Sequence, residues 1–160
     1  MADNRALITA YCRDGDTGAF RTFYRLQTGR LWKFLIARGC TPEDAYDLVA
    51  EAYLKFIQNV CRDPSAPVAL LYRIALNLRI DRYRRDRASL VDHTVDLESL
   101  DSTSAEEPDE YAHVRNLVSS LPENEQNLVF LRYWIGLSHK EVAQALRLPE
   151  GTVRRQGAEL

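Results

Sequence analysis

Helix-start signals and apolar residues at helical spacing recur along the whole chain, and no run alternates apolar and polar residues for long. The strongest start signal is Thr41-Pro42-Glu43-Asp44. Threonine can cap the helix, proline suits the first helical position, and the acids lie near the positive end of the helix dipole. We therefore predict a helix over about residues 41–60 and an all-α fold for the chain.

The composition is that of a water-soluble folded protein, with 46% hydrophobic and 28% charged residues. No apolar run approaches the ~20 residues that span a bilayer, and the N-terminus lacks a basic-then-apolar signal pattern. We expect a cytoplasmic protein without membrane insertion. Cys12, Cys40 and Cys61 are widely spaced and form no CxxC pair, so we expect buried free thiols and neither a disulfide framework nor a zinc site.

Acidic residues are concentrated in one strip. Between Ser89 and Glu110 there are eight acids and no Lys or Arg, so that the rest of the chain is basic although the formal net charge is −2. A strip rich in Ser, Thr, Asp and Glu with little to bury is typical of a flexible linker. We therefore predict an N-terminal helical domain over residues 1–90, an acidic linker over 91–110 and a C-terminal helical domain over 111–160.

The segment LLYRIALNLRIDRYRRDR, residues 70–87, carries six arginines and only two acids. On a helical wheel it has a core stripe and a second apolar strip, made of Tyr72, Leu76, Ile80 and Tyr83. Aromatic rings among arginines suit unpaired nucleic-acid bases, because rings stack on bases while guanidinium groups hold phosphates. The alternative is a solvated charged face with ordinary helix-end arginines.

The predicted helix over residues 41–60 has a polar row opposite its core stripe. The row includes Asp47, Glu51 and Gln58, and the apolar Leu54 lies among them. Such a row is normally a wetted surface, but an exposed leucine among acids indicates a docking face.

The C-terminal part predicts two short helices across a tight turn. Ser138 and Glu141 have the spacing of a capping box, and the turn RLPEG leads to Thr152-Val153-Arg154-Arg155. This pattern is typical of a helix-turn-helix, whose second helix enters the major groove of DNA. An ordinary helical hairpin is the alternative.

Together these segments resemble the extracytoplasmic-function class of bacterial RNA polymerase sigma factors. The resemblance covers nearly the whole chain and rests on four motifs in order: GDTGAF, EDAYDLVAEAYLKF, LLYRIALNLRIDRYRR and LPENEQNLVFLRYWIGLSHKEVAQALRLPEGTVRR. It implies two helical domains, a non-enzymatic role in promoter selection and strand opening, and no cofactor, catalytic residue or metal site.

The resemblance also implies three sets of site residues. The minus-ten and melting positions are Arg62, Ser65, Tyr72, Arg73, Asn77, Arg79, Arg82 and Arg84. The minus-thirty-five positions are Lys140, Thr152, Arg154 and Arg155. The positions that dock on the polymerase are Asp47, Glu51, Leu54 and Gln58.

The partners that the resemblance implies are core RNA polymerase, promoter DNA and an anti-sigma factor. In that family the recognition helix continues for several turns with more basic residues, so RRQGAEL predicts a shortened recognition helix here. One alternative is a stand-alone helix-turn-helix regulator. Another is a small helical enzyme that uses Asp44, Asp47 and Glu51 as a carboxylate cluster.

Overall fold

The computed structural model describes residues 3–92 and 120–159, and these ranges contain helices and turns but no β-strand. The first range holds α1 Asn4–Asp14, α2 Thr17–Ala37, α3 Pro42–Asn59, a 3₁₀ turn Val60–Arg62 and α4 Pro67–Asp92. The second range holds α5 Glu123–Val129, its π-helical continuation Phe130–Ile135, α6 His139–Leu146 and α7 Glu150–Glu159. The predicted all-α fold is confirmed.

The helix starts lie where the capping residues of the sequence place them. The Asp44 amide donates to the Thr41 hydroxyl oxygen over 3.2 Å at the start of α3. At the start of α6 the Glu141 amide donates to Ser138 Oγ and the Ser138 amide donates to Glu141 Oε1, each over 3.1 Å. Each cap satisfies backbone donors that have no partner inside the helix, which fixes the residue at which the helix begins.

The N-terminal core forms where α1, α2, α3 and α4 pack together. Phe23 of α2 stacks on Phe56 of α3 with ring centroids 5.3 Å apart, and both rings are fully buried. Phe34 of α2 meets Tyr72 of α4 edge to face at 5.1 Å. The apolar stripe predicted for α3 is therefore the centre of this core.

The C-terminal helices make a small core of their own and also pack on the N-terminal helices. Leu128, Leu131, Val142 and Val153 are buried. Gly136 ends the π-helical segment with φ of 87°, a left-handed conformation that favours glycine because a side chain would be strained there. Helix α6 lies against α4, so the two units form one continuous apolar cluster.

Two of the three cysteines are paired, contrary to the sequence prediction. Cys12 of α1 and Cys61 of the 3₁₀ turn form a disulfide across 49 residues of sequence, while Cys40 is free. The prediction failed because it used sequence spacing. The packing of α1 beside the end of α3 brings the two Cα atoms to 5.4 Å, within the range that a disulfide requires.

The predicted acidic linker lies outside the described residues, except that residues 91 and 92 end α4. The domain boundaries at residues 90 and 111 stay predictions. Within the part of the chain that the structure describes, no helix is both long and apolar enough to cross a membrane.

Candidate nucleic-acid interface

The polar row of α3 is open to solvent, as expected for a wetted surface or a docking face. Leu54 is 64% exposed, and Asp47 and Gln58 are also exposed. The carboxylates of Asp47 and Glu51 point to the same side of α3, because both lie near one guanidinium group, that of Arg82.

Arg82 of α4 faces this acidic row. Its Nη1 lies 3.3 Å from Asp44 Oδ1 and 3.8 Å from Asp47 Oδ2, and its Nη2 lies 3.3 Å from Glu51 Oε1. Both terminal nitrogens therefore face carboxylates of α3, whereas the sequence placed Arg82 among the DNA-facing arginines. The Arg82 guanidinium is therefore the cation that pairs with the cluster of Asp44, Asp47 and Glu51. In the described ranges no group of three or more ligating side chains is arranged to hold a metal ion.

The loop between α3 and α4 presents two of the predicted minus-ten residues. Arg62 and Ser65 are exposed. The Ser65 hydroxyl and amide both donate to Asp63 Oδ1, over 2.7 and 3.3 Å, and the hydroxyl hydrogen bond is the main reason that the pKa of Asp63 is lowered. This local turn fixes the loop, which borders a cleft of about 420 Å³ whose lining includes Arg73 of α4 and Gln144 of α6.

Tyr72 is not on an exposed surface, and the prediction that its ring faces DNA is wrong for this structure. Its side chain is fully buried, and Leu76 is only 4% exposed. The second apolar strip of α4 divides along the helix. Its first half is buried, with the Tyr72 ring against Phe34 of α2, whereas Ile80 and Tyr83, at 39% and 64% exposure, lie where the arginines begin to accumulate.

The other predicted minus-ten residues on α4 differ in accessibility. Asn77 and Arg84 are exposed, and Arg73 is half-buried beside the cleft. Arg79 is engaged with the C-terminal unit, since its Nη1 lies 2.6 Å from Glu123 Oε1. The arginines of this segment therefore do not form one uniform face: one is exposed to solvent, one lies beside the cleft and one contacts the C-terminal unit.

The predicted minus-thirty-five residues gather at the second pair of C-terminal helices. Lys140, Arg154 and Arg155 are exposed, and Thr152 is half-buried. Arg154 Nη2 lies 2.8 Å from Glu150 Oε1, one helical turn earlier, and this hydrogen bond lowers the pKa of Glu150. The pair is solvent-exposed, so it leaves Arg154 able to exchange Glu150 for another anion.

Comparisons with known proteins match both parts of the chain to one family of proteins. The sigma-70 region 2 family matches residues 19–89, and the sigma-70 region 4 family matches residues 112–157. The ECF RNA polymerase sigma-E factor of Escherichia coli K12 is 32% identical over 139 residues, covering 75% of this chain and 71% of that protein. The RNA polymerase sigma-H factor of Pseudomonas aeruginosa is 32% identical over 157 residues, covering 88% and 81%.

The chain belongs to the extracytoplasmic-function (ECF) sigma factors. It is thus an RNA polymerase sigma factor that acts in transcription initiation with core polymerase and promoter DNA. A solved structure of CnrH in complex with the cytosolic domain of CnrY has a similar fold, with a TM-score of 0.68 and 23% identity over 98% of this chain and 90% of that chain.

The family matches divide the sigma factor as its helices do. The region 2 match contains all of α3 and nearly all of α2 and α4, and the region 4 match contains α5, α6 and most of α7. The acidic row and the arginine-rich segment therefore belong to one region, and the helix-turn-helix belongs to the other.

Sequence reasoning missed the residues that join the two regions of this sigma factor. Arg38, at the end of α2, has a side chain only 3% exposed and donates from Nε to Asn127 Oδ1 of α5 over 2.7 Å. The two residues are 89 positions apart, so no local pattern predicts the contact. The one available signal was an arginine and an asparagine at positions that a helical wheel assigns to the core side.

Proposed function

We propose that this sigma factor docks on core RNA polymerase through the exposed row of α3, made of Asp47, Glu51, Leu54 and Gln58. The observation that carries the proposal is a 64% exposed leucine among carboxylates that one arginine holds in place. Interfaces combine an apolar centre with a polar rim, and this row offers both on one helix face. Arg82 acts here as a positioning residue, because it restrains the Asp47 and Glu51 carboxylates.

Promoter opening is assigned to the loop and the outer half of α4. Arg62 and Ser65 of the loop and Arg73 of α4 line one cleft, and Asn77 is exposed one helical turn after Arg73; these residues meet the minus-ten strand. Arg79 and Arg84 hold phosphates. Tyr83 takes the stacking role that the buried Tyr72 cannot fill, since a solvent-exposed ring on the same helix is free to stack on an unpaired base.

Minus-thirty-five contacts are assigned to the helix-turn-helix. Lys140 at the start of α6 and Arg154 and Arg155 on α7 meet phosphates or base edges, with Thr152 near the start of α7. Helix α7 is the recognition helix, and the exposed basic residues lie along it as major-groove binding requires.

The sigma factor supplies sequence choice and strand opening in the cytoplasm, and the polymerase supplies the chemistry; we assign it no catalytic residue and no cofactor. We also infer a regulatory protein partner of the anti-sigma type. The support for that partner is the similarly folded CnrH, which was solved in complex with the cytosolic domain of CnrY.

Binding to purified core polymerase tests the docking proposal. Leu54→Asp should abolish specific initiation from a promoter library and weaken binding to core polymerase. Leu26→Asp is the matched control, because Leu26 is a 44% exposed leucine on a different helix, α2. Equal effects of the two changes, or no binding of the unaltered protein to core polymerase, would refute the docking face. Tight binding to duplex DNA without polymerase would instead favour a stand-alone regulator.

A further inference from the structure

The disulfide between Cys12 and Cys61 lies at the start of the loop that we assign to minus-ten contacts. Cys61 is the middle residue of the 3₁₀ turn Val60–Arg62, and the loop through Ser65 follows directly. Arg62, the next residue, lines the cleft together with Ser65. The bond therefore joins the first helix of the chain to the segment that carries two of the proposed DNA contacts.

Helix α1 holds the other end of the bond in a fixed position. Near the start of α1, Asn4 Oδ1 accepts a hydrogen bond from the Gln27 side chain of α2 over 3.2 Å. Near its end, the Tyr11 ring lies against Phe20 of α2 with centroids 5.0 Å apart. Cys12 follows Tyr11 in the sequence, so its position is set by the packing of α1 on α2.

The side chains of the loop have few other contacts with the rest of the molecule. Among the described residues, the side-chain hydrogen bonds of residues 62–65 join Ser65 to Asp63 and stay inside the loop. Arg62, Asp63 and Ser65 are exposed, so packing does not hold their side chains. The disulfide links this loop covalently to another helix, and without it the loop has more conformations open to it.

The disulfide is also accessible to small thiols. Cys61 is exposed and Cys12 is half-buried. RNA polymerase acts in the cytoplasm, where thiol systems keep most cysteines reduced and where the disulfides that do form are mainly transient, catalytic or redox-sensing. Exposed disulfides are labile, whereas structural disulfides resist reduction by glutathione. An exposed pair in that compartment has the properties of a redox site.

We propose that Cys12 and Cys61 form a redox-modification site whose oxidant is a low-molecular-weight disulfide of the glutathione class, and that their bond fixes the minus-ten loop for strand opening. The oxidised sigma factor opens promoters well, and the reduced one opens them poorly because its loop is loosely held. The proposal rests on the promoter-opening function proposed above for Arg62 and Ser65. The region 2 family match begins at residue 19, so Cys12 lies outside it.

The reaction consists of two successive thiol–disulfide exchanges. The thiolate of Cys61, the more exposed cysteine, attacks one sulfur of the oxidant, whose disulfide bond breaks and releases one small thiolate. The Cys12 thiolate then attacks the Cys61 sulfur, which forms the Cys12–Cys61 bond and releases the second small thiolate. The two protein thiols thus lose two protons and two electrons, and the oxidant becomes two small thiols.

A thiol-trapping titration tests the redox site. The Cys40→Ser protein, which keeps only Cys12 and Cys61, is equilibrated with mixtures of reduced and oxidised glutathione, quenched in acid and labelled with a maleimide for mass spectrometry. We expect both thiols to be free in excess reduced glutathione and joined to each other in excess oxidised glutathione. With Cys12→Ser added, Cys61 should instead carry one glutathione.

Three results of this titration would overturn the redox site. The first is a pair that stays reduced in excess oxidised glutathione. The second is a bond that persists in excess reduced glutathione, since that is the behaviour of a structural disulfide. The third is glutathione on both cysteines in place of the internal bond.

Promoter opening tests whether the bond acts on the loop. The oxidised and reduced Cys40→Ser proteins are mixed with core polymerase and a promoter selected by the oxidised form, at a temperature where circular dichroism shows both to be folded. Opening should be about fivefold faster with the oxidised protein, because a pre-organised loop loses less conformational freedom on binding DNA. A protein that also carries Cys12→Ser and Cys61→Ser should open at the reduced rate whatever the glutathione ratio. Equal rates of the two forms would overturn the proposal.

A double-mutant comparison separates the loop from a general loss of stability. In an Arg62→Gln background the difference between oxidised and reduced proteins should shrink, because the contact that the bond positions is gone. Arg84→Gln is the matched control, since Arg84 is exposed on α4 outside the loop, and there the full difference should persist. A full difference in Arg62→Gln would overturn the coupling to the loop.

The same rates distinguish a failure of this proposal from a failure of the proposed loop function. If the oxidised and reduced forms open equally fast while Arg62→Gln slows opening, the redox coupling fails and the loop function stands. If oxidised Arg62→Gln opens the promoter as fast as its oxidised parent, the loop function fails and the proposal fails with it.

Discussion

Arg82 Nη2 lies 3.3 Å from Glu51 Oε1, and this contact joins the arginine-rich helix α4 to the acidic row of α3. The arginine is part of the surface that we assign to polymerase docking, although its sequence neighbours Tyr83 and Arg84 face solvent. On α4 the docking residue Arg82 therefore lies between the strand-opening residues Arg79 and Tyr83.

Replacing Arg82 should affect the polymerase more than DNA. Without the guanidinium, the Asp44, Asp47 and Glu51 carboxylates repel one another and lose their fixed positions, so Arg82→Gln should weaken binding to core polymerase about threefold. Fluorescence anisotropy with labelled protein measures the affinity. Arg82→Lys should recover part of it, because the charge is kept while the forked geometry is lost. An unchanged affinity for Arg82→Gln would contradict the positioning role.

Arg84 should behave in the opposite way. Its exposed guanidinium is expected to neutralise a phosphate, so Arg84→Gln should lower the slope of log affinity against log salt by about 0.9 for duplex DNA or 0.7 for a single strand. The measurement is a salt titration of promoter binding by the polymerase complex. The affinity of the Arg84→Gln protein for core polymerase should stay unchanged. An equally large change of slope in Arg82→Gln would mean that Arg82 contacts DNA as Arg84 does.

Tyr72 should contribute to stability and not to strand opening. Its hydroxyl is buried and has no hydrogen-bond partner among the described residues, and burial raises the pKa of this phenol. Tyr72→Phe should therefore keep promoter opening and raise the free energy of unfolding by about 1 kcal/mol. Tyr72→Ala should lower it by about 3–5 kcal/mol. Urea unfolding measures both; a loss of opening in a stable Tyr72→Phe protein would restore the DNA role.

The Cys12–Cys61 disulfide should be visible in thiol counts and in stability. Under denaturing conditions the oxidised protein should titrate one thiol, that of Cys40, and the reduced protein three. Since the bond closes a loop across 49 residues, reduction should lower the free energy of unfolding by about 2–4 kcal/mol. A Cys12→Ser, Cys61→Ser variant should match the reduced protein and be insensitive to reductant. Three thiols in the oxidised protein would show that the pair does not form.

The ion pairs of Glu123 with Arg38 and Arg79 should weaken in acid. The pKa of Glu123 is held below its ordinary value of 4.5, mainly by the hydrogen bond from Arg79. A lowered folded-state pKa means that the stabilising effect is complete above pH 4.5 and is lost as the pH falls through the lowered pKa. The difference in the free energy of unfolding between the unaltered protein and Glu123→Gln should therefore be constant above about pH 5 and shrink below about pH 4.5. Glu125→Gln should track the unaltered protein throughout, and a difference that persists in acid would contradict the assignment.

Local signals in the sequence predicted most of the helices. The Thr41 cap and the Ser138–Glu141 capping box act within one helical turn, and the structure places α3 and α6 where they indicate. The apolar stripe of α3 and the exposed Leu54 were also readable, because helical periodicity sorts residues into faces before any packing is known.

The sequence by itself determined the all-α fold, the two regions and the acidic row, since caps and periodicity depend on residues a few positions apart. Only the tertiary structure decided that Tyr72 is buried, that Cys12 meets Cys61, and that Arg79 pairs with Glu123 across 44 positions. A wheel shows which residues share a face, but not which other helix covers that face. Such contacts depend on how distant helices pack, and the same arginine can meet a phosphate, a carboxylate or water according to what lies opposite it.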